Sequence, residues 1–240
     1  MSLLTYTGLT LCVLLVLMLG ERRWAATEER SSLGINLIAY LIFSASGLLL
    51  LPRIAPQISG GVVDLATLPF LVGLAIFTVL MDFGEFIFHR AQHRFPWLWR
   101  MHALHHSDPN MNATTTARHY WAEPLIKSVT IWPLCALVAS PTVAVSTAYA
   151  VISIYHFFVH ANLRVNFGRW SWVLNSPAYH RRHHSSQVEH FNSNYASLFP
   201  IFDLLTGSYN RPAGFPPTGL MKTPRNLADV VFWPFRTSER

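Results

Sequence analysis

The chain has 240 residues, a length that fits one domain, and 51% of them are hydrophobic while only 12% are charged, about half the share found in globular proteins. The net charge of +6 does not indicate a nucleic-acid partner, because the basic residues form no cluster and no nucleic-acid-binding motif is present. The two cysteines, Cys12 and Cys135, lie far apart in apolar segments and indicate neither a disulfide framework nor a cysteine-based zinc site.

Three apolar segments in the N-terminal part are each near the ~20 residues that a membrane-spanning helix needs. They cover residues 3–19, 33–51 and 68–88. The first segment is predicted to be an anchor and not a signal peptide. No basic segment precedes it, and the charged sequence that follows it does not resemble a cleavage site.

The fourth apolar segment, residues 125–158, is interrupted at residues 139–142, where Pro141 disfavours a helical conformation in the residue before it. Two short helices that form a hairpin are therefore predicted. The rest of the chain, from Leu163, is predicted to lie at or outside the membrane surface. Residues 201–209 are expected to form a short interfacial helix that ends at Gly207, and the segment beyond Pro212 an irregular surface tail.

The distribution of arginines predicts the orientation in the membrane. Arg22, Arg23 and Arg30 follow the first helix, whereas only Arg53 lies between the second and the third. Because positively charged loops stay in the cytoplasm, the first loop and the chain after residue 88 are predicted to be cytoplasmic. The predicted fold is an all-α integral membrane protein with about four transmembrane helices. These are two N-terminal helices, one acid-bearing helix and the short hairpin, under a cytoplasmic helical cap.

Ten of the twelve histidines lie in four short motifs. The motifs contain His89 and His93; His102, His105 and His106; His156 and His160; and His180, His183 and His184. Residues three or four positions apart share a helix face, so their imidazoles can point at one metal ion. Neutral imidazole binds zinc, copper, iron or nickel. Because ten ligands exceed the needs of one ion, a dinuclear site in the cap is predicted, and the zinc-protease motif H-E-x-x-H is absent.

These motifs carry a family resemblance. The order H-x3-H, H-x2-H-H, H-x3-H, H-x2-H-H resembles the fatty acid hydroxylase superfamily, also called the sterol desaturase family. The surrounding segments MDFGEFIFHRAQH, LWRMHALHHSD, NATTTARHYWAEPL and HRRHHSSQVEHFNSNYASLFPIFDLLTGSY are similar to family sequence as well, so the resemblance covers roughly residues 68–209. One position departs from the pattern, because Tyr120 follows His119 where the family has proline.

The resemblance implies a membrane-bound di-iron enzyme that hydroxylates or desaturates a membrane lipid, such as a fatty acyl chain or a sterol. Its ten motif histidines would bind two iron ions, with zinc possible in purified protein, and O2 would be the cosubstrate. No flavin, nucleotide or haem motif is visible, so a separate reductase with a ferredoxin or cytochrome is expected to supply electrons. A carotenoid-type hydroxylase, a histidine-rich zinc hydrolase on a membrane anchor and a non-enzymatic metal-handling membrane protein stay open as alternatives.

Three parts of the chain are predicted: N-terminal transmembrane helices at residues 1–60, a catalytic domain at 61–211 and a C-terminal tail at 212–240. The short loops and the lack of an endoplasmic-reticulum retention signal favour a bacterial cytoplasmic membrane. The endoplasmic reticulum is the expected location in a eukaryote.

Five more residues are predicted to support the metal ligands or to line the substrate pocket: Asp82, Glu85, Asn112, His119 and Asn194. Asp82 shares a helix face with His89 but lies about 10 Å below it, which is too far for the same ion. It is predicted to line the substrate channel or to pair with another helix, and a purely structural pair is the alternative. Glu85, one turn before His89, is predicted to hold an imidazole N–H.

Overall fold

The computed structural model describes residues 3–28, 32–54, 61–140 and 143–236. Arg30, which contributes to the predicted orientation, lies outside these ranges. Within them the chain forms α-helices and short 3-10 turns but no β-strand. The α-helices are α1 (Leu3–Trp24), α2 (Leu33–Ile54), α3 (Phe70–Arg94), α4 (Pro96–His106), α5 (Glu123–Val129), α6 (Ile131–Val138), α7 (Val143–His160), α8 (Pro177–His183), α9 (Ile201–Thr206), α10 (Leu227–Val231) and α11 (Trp233–Arg236).

Three of the described helices, α2, α3 and α7, are long and apolar enough to cross a membrane. Their outer surfaces expose large aliphatic side chains, such as Leu48 on α2 and Leu71 on α3. Such surfaces are stable beside lipid, and the predicted all-α membrane fold is confirmed. Helix α1 also exposes Leu11 and Leu15. Its role as a further span stays a prediction.

Helix α3 lies at the centre and packs against α4, α6 and α7. The core between these helices contains Phe77 and Met81 from α3, Ile131 from α6 and Ile152 from α7. Helices α3 and α6 approach closely at Gly84, where a Cβ atom would lie only 2.8 Å from Cγ2 of Ile131. Since close packing leaves no room for that atom, glycine at this position brings the two helices together.

The predicted hairpin of two short helices was wrong in the length of its second arm. Helices α5 and α6 are short and meet at Thr130, whose φ and ψ of −122° and −89° are not helical. Helix α7, in contrast, is continuous over 18 residues. The break between α6 and α7 falls where it was predicted, although Pro141 itself lies outside the described residues. Helix α7 packs along α3, a helix of 25 residues. This contact supports a longer second helix than the apolar pattern indicates.

The cap begins where α3 ends. Phe95 is extended, with φ and ψ of −99° and 123°, and it both ends α3 and precedes α4. Pro96 occupies the first turn of α4. The backbone N–H that proline lacks would have no partner within the helix at this position. The chain therefore turns without a loop between the two helices. The histidines of α4 lie beside the C-terminal end of α3, the end predicted to face the cytoplasm.

The C-terminal part of the chain agrees only partly with prediction. Helix α9 ends at Gly207, whose φ of 75° is left-handed, as expected. The tail, however, is not simply irregular. It forms α10 and α11, and Val230 and Trp233 are buried against Leu98 and Leu104 of α4. Helices of four and five residues are too short to show a periodic apolar pattern, so their burial became visible only in the tertiary structure.

Candidate metal centre

Nine of the ten motif histidines form two compact groups. In each group, every residue offers a ring nitrogen, and these nitrogens all lie within 4.8 Å of one another. The first histidine group contains His89, His93, His102, His106 and His183. The second histidine group contains His105, His160, His180 and His184. Helices α3, α4, α7 and α8, with the residue that ends α8, therefore converge on one region of the cap.

Each H-x2-H-H motif divides its side chains between the two groups. On α4, His102 and His106 face the first group, whereas His105 faces the second. At the end of α8, His183 belongs to the first histidine group, whereas His180 and His184 belong to the second. Residues one position apart point about 100° away from each other on a helix. One motif can therefore supply both groups, which the spacing within a motif did not reveal.

The two groups touch each other. The rings of His106 and His184 stack with centroids 4.3 Å apart and an angle of 15° between their planes. The rings of His102 and His105 are 5.3 Å apart. Side chains from the two groups are thus in direct contact, and the two groups form one continuous cluster of imidazoles.

Backbone carbonyls fix the orientation of three rings. In each case Nδ1 lies 2.7 Å from a carbonyl oxygen, and the pairs are His89 with Tyr195, His183 with Ser193, and His160 with His156. A carbonyl only accepts hydrogen bonds, so Nδ1 carries the hydrogen and donates it. The Nε2 atom of each ring is then left with a lone pair directed into its group.

The donor set fits metal ions. The lone pair of His160 Nε2 faces Nε2 of His105 and Nε2 of His180, both at 3.0 Å, and it can accept a hydrogen from only one of them. Among the described residues, the buried Nε2 atoms of His183 and His184 have no hydrogen-bond partner at all. Two nitrogens that each bind one ion at about 2.1 Å would lie about 3.0 to 3.4 Å apart, depending on the angle between the two bonds. A cation in each group would therefore satisfy atoms that are otherwise costly to bury.

Burial also holds these imidazoles in the metal-binding form. It lowers the pKa of the histidines that α4 and the end of α8 contribute to the two groups, with neighbouring imidazoles adding to the effect in all of them but His183. The pKa of His183 falls to about 4, and the pKa of the others lies well below 6.5, namely for His102, His105, His106, His180 and His184. Neutral imidazole at neutral pH leaves a nitrogen lone pair for a metal ion.

His119 was predicted to support the metal ligands or to line the substrate pocket. It contacts both His105 of the second histidine group and the carboxylate of Glu123. Its ring stacks on His105 with centroids 4.5 Å apart. Its Nδ1 is 3.2 Å from Oε2 of Glu123, which also accepts a hydrogen bond from Gln92. Glu123 is buried and lies 4.0 Å from Nδ1 of His102. Sequence reasoning did not select Glu123, although its position four residues after His119 is a spacing typical of paired side chains on a helix.

Asp82 and Glu85 have partners that differ from those predicted. The Asp82 carboxylate accepts hydrogen bonds of 2.8 Å from the backbone N–H groups of Leu198 and Phe199. It therefore fastens α3 to the cap, as the structural alternative proposed. Glu85 accepts a 2.5 Å hydrogen bond from Lys127 Nζ, and among the described residues no hydrogen bond joins it to an imidazole. Both partners are distant in sequence, and spacing along α3 could not reveal them.

The two predicted asparagines differ in their relation to the histidine groups. The Asn112 side chain accepts a hydrogen bond from the Thr114 N–H and caps a 3-10 turn, away from both groups. Asn194 donates hydrogen bonds to the carbonyls of Tyr179 and Asn210, with a left-handed φ of 60°. It lies between the two residues whose carbonyls hold His183 and His89. Asn194 thus acts on the ligands through the backbone, and asparagine tolerates that conformation better than most residues.

His156 is the one motif histidine that joins neither group. Its ring centroid lies 6.5 Å from that of His160. It lines a cavity between helices together with Glu85, His119 and Lys127. The prediction that all ten motif histidines converge therefore differs from the structure at this position, because His156 lies one turn deeper along α7 than His160.

A small cavity reaches the first histidine group from the cap. Its volume is about 120 Å³, and its walls include His93, His106 and His183. Asn192 also lines it, with a left-handed φ of 56°. Small molecules can reach this group without passing between the membrane helices.

Two adjoining clusters of imidazoles that can hold metal ions, in a helical protein with apolar spans, define the class of histidine-rich membrane proteins. More specifically, the chain belongs to the fatty acid hydroxylase family, whose sequence model, described as Fatty acid hydroxylase, matches residues 74–208, more than half of the chain. The matched range contains every residue of both histidine groups.

Curated relatives match somewhat more than half of the chain. Alkylglycerol monooxygenase of Xenopus tropicalis is 32% identical over 129 residues, which are 54% of this chain and 28% of that protein. Ornithine lipid hydroxylase OlsE of Rhizobium tropici is 30% identical over 134 residues, 56% of this chain and 40% of its own length. Very-long-chain aldehyde decarbonylase GL1-6 of Oryza sativa subsp. japonica is 28% identical over 155 residues, with coverages of 58% and 24%. The chain thus spans less than half the length of these relatives, and no solved structure matches it.

Proposed function

We propose that this chain is an O2-dependent di-iron oxidoreductase that hydroxylates or desaturates a membrane lipid, such as a fatty acyl chain or a sterol. The observation that carries the proposal is the contact between the two histidine groups, within each of which the ring nitrogens lie within 4.8 Å of one another. Family membership supports a lipid oxygenase, since two relatives are named a monooxygenase and a lipid hydroxylase.

The first histidine group would hold one iron ion and the second histidine group the other. Bound iron with O2 would supply an oxidant strong enough for an unactivated C–H bond, which no side chain provides. The protein's own contribution is positioning. The carbonyls of Ser193 and Tyr195 orient His183 and His89. Residues that orient ligating imidazoles keep the correct ring nitrogen toward the ion.

Electrons would come from a separate reductase through a ferredoxin or a cytochrome, because the sequence has no flavin, nucleotide or haem motif. The metal centre would face the cytoplasm, in a bacterial cytoplasmic membrane or in the endoplasmic reticulum of a eukaryote. A single cysteine at the exposed Val188, in a background with Cys12→Ala and Cys135→Ala, tests this orientation. Labelling by an impermeant reagent only after cell lysis is expected, and labelling of intact cells would contradict it.

Anaerobic loading with Fe(II), followed by exposure to O2, tests the function. We expect about two iron ions per chain and O2-dependent iron oxidation. His105→Ala, His160→Ala and His183→Ala should each lower bound iron and abolish lipid oxidation, because residues that act as a unit fail together. His190→Asn, outside both groups, is the matched control. Full activity with zinc in the absence of O2, or in any two of the three alanine variants, would refute the proposal.

A further inference from the structure

A second cavity, of about 190 Å³, lies between α2, α3, α5 and α7. Three of these helices are candidate membrane spans, so the cavity lies among the helices that cross the bilayer. Tyr40 of α2 and Tyr149 of α7 line it and are 48% and 46% exposed. These two side chains therefore mark a mouth that opens sideways, toward lipid.

The walls of this cavity suit a hydrocarbon chain. Phe43, Met81, Ile152 and Phe157 line it with apolar surface. Its inner end is bounded by His119, whose ring stacks on His105 of the second histidine group. A chain that enters between α2 and α7 would thus end beside the proposed metal centre.

An ion pair lines this cavity, whose walls also carry the polar side chains of Thr116, Ser153 and His156. Lys127 Nζ donates a 2.5 Å hydrogen bond to Oε2 of Glu85, and the two side chains are 20% and 11% exposed. The ammonium group also lies 5.3 Å from the ring centre of Phe88. A mostly buried ion pair gives little net stability, and apolar residues of similar volume often serve as well. Its presence among membrane helices therefore indicates a role in binding.

The pair can form further hydrogen bonds toward the cavity. One bond uses one of the three ammonium hydrogens of Lys127 and one of the two carboxylate oxygens of Glu85. Both residues line the cavity, and so does the Ser153 hydroxyl. The wall thus offers donors and acceptors side by side, with no net charge.

We propose that this cavity binds the lipid substrate and that Glu85 and Lys127 together hold a hydroxyl group of a neutral lipid alcohol. This inference rests on the proposed function. A hydroxyl group can accept a hydrogen bond from the Lys127 ammonium and donate one to the Glu85 carboxylate, so it can bind both members of the pair at once. A fatty acid would gain from Lys127 but be repelled by Glu85, and an amine would meet the opposite conflict.

Displacement of a fluorescent long-chain probe from the iron-loaded protein in nanodiscs tests the ligand class. Competitors of equal chain length are 1-dodecanol, dodecanoate and dodecylamine. Two hydrogen bonds of about 1 kcal/mol each correspond to at least a tenfold preference, so 1-dodecanol should displace the probe at about one tenth of the concentration of the charged competitors. A wild-type preference for dodecanoate or dodecylamine would overturn the inference.

Two variants should change which of the three competitors binds most tightly. Glu85→Gln leaves the ammonium unopposed and should favour dodecanoate, whereas Lys127→Met leaves the carboxylate and should favour dodecylamine. An unchanged order of the three competitors in both variants would overturn the role of the pair. Should either variant fail to fold, Ser153→Leu narrows the cavity and leaves the pair intact. It should weaken all three competitors, and the lipid-facing Val151→Leu, on the same helix, should not.

Iron content and O2-dependent iron oxidation, measured on the same preparations, separate this inference from the proposed function. Loss of the alcohol preference with normal iron oxidation removes only the role assigned to Glu85 and Lys127. Absence of iron oxidation with the alcohol preference intact removes the oxygenase assignment and leaves the ligand class standing.

Discussion

The ring of His119 lies parallel to the ring of His105, with 4.5 Å between the centroids and 12° between the planes. Glu123 lies 3.2 Å from His119 Nδ1 on one side and 4.0 Å from His102 Nδ1 on the other. His105 and His102 belong to different histidine groups. One buried carboxylate therefore borders both halves of the candidate metal centre.

Replacing Glu123 should weaken metal retention without unfolding the protein. Glu123→Gln keeps the shape but removes the negative charge beside His102 and His119. Glu123 reaches the second histidine group through His119 and acts on His102 through charge at 4.0 Å, so we expect a loss of about 10-fold, the lower end of the effect known for residues that support ligating imidazoles. Iron retained after graded chelation is the measurement, with the exposed Glu189→Gln as control. Equal retention in the two variants would leave Glu123 with a packing role only.

His156 and His160 should differ sharply when replaced, although they belong to the same sequence motif. His160→Ala removes a member of the second histidine group and should lower the bound iron, whereas His156→Ala should keep it. Metal analysis of both purified variants checks this. A comparable loss of iron in His156→Ala would show that its ring turns into the second group once metal binds.

Asp82 should contribute to stability and not to chemistry. Asp82→Ala leaves two buried backbone N–H groups, those of Leu198 and Phe199, without acceptors. We expect a loss of about 2 to 4 kcal/mol in the free energy of unfolding, and a smaller loss for Asp82→Asn, which keeps one oxygen. Denaturation in detergent micelles measures it. Wild-type stability combined with reduced turnover in Asp82→Asn would instead support a position along a substrate channel.

The C-terminal helix α11 should stabilise the helix that carries three of the histidines. Trp233 is 3% exposed and packs in the cluster that contains Leu98, Met101 and Leu104 of α4. Trp233→Ala should lower the free energy of unfolding by about 3 to 5 kcal/mol, as removal of a buried large side chain does. Phe235→Ala, at 84% exposure on the same helix, should change it by less than about 0.5 kcal/mol. Similar unfolding curves for the two variants would contradict this packing.

The sequence was sufficient for those features that depend on neighbouring residues. Apolar segments of about 20 residues predict spanning helices because the bilayer fixes the required length. Histidines four positions apart predict imidazoles on one helix face, and the pairs His89 with His93 and His102 with His106 each share a histidine group. The end of α9 at Gly207 follows from the left-handed conformation that glycine adopts easily.

The tertiary structure decided how those local elements meet. It divided the histidines of α4 between two groups and left His156 outside both. It also paired Asp82 with Leu198, Glu85 with Lys127 and Glu123 with His119. A helical repeat determines which way a side chain points relative to its own axis, but the partner it meets depends on where another helix lies. That placement results from packing and burial over the whole chain, and no local spacing encodes it.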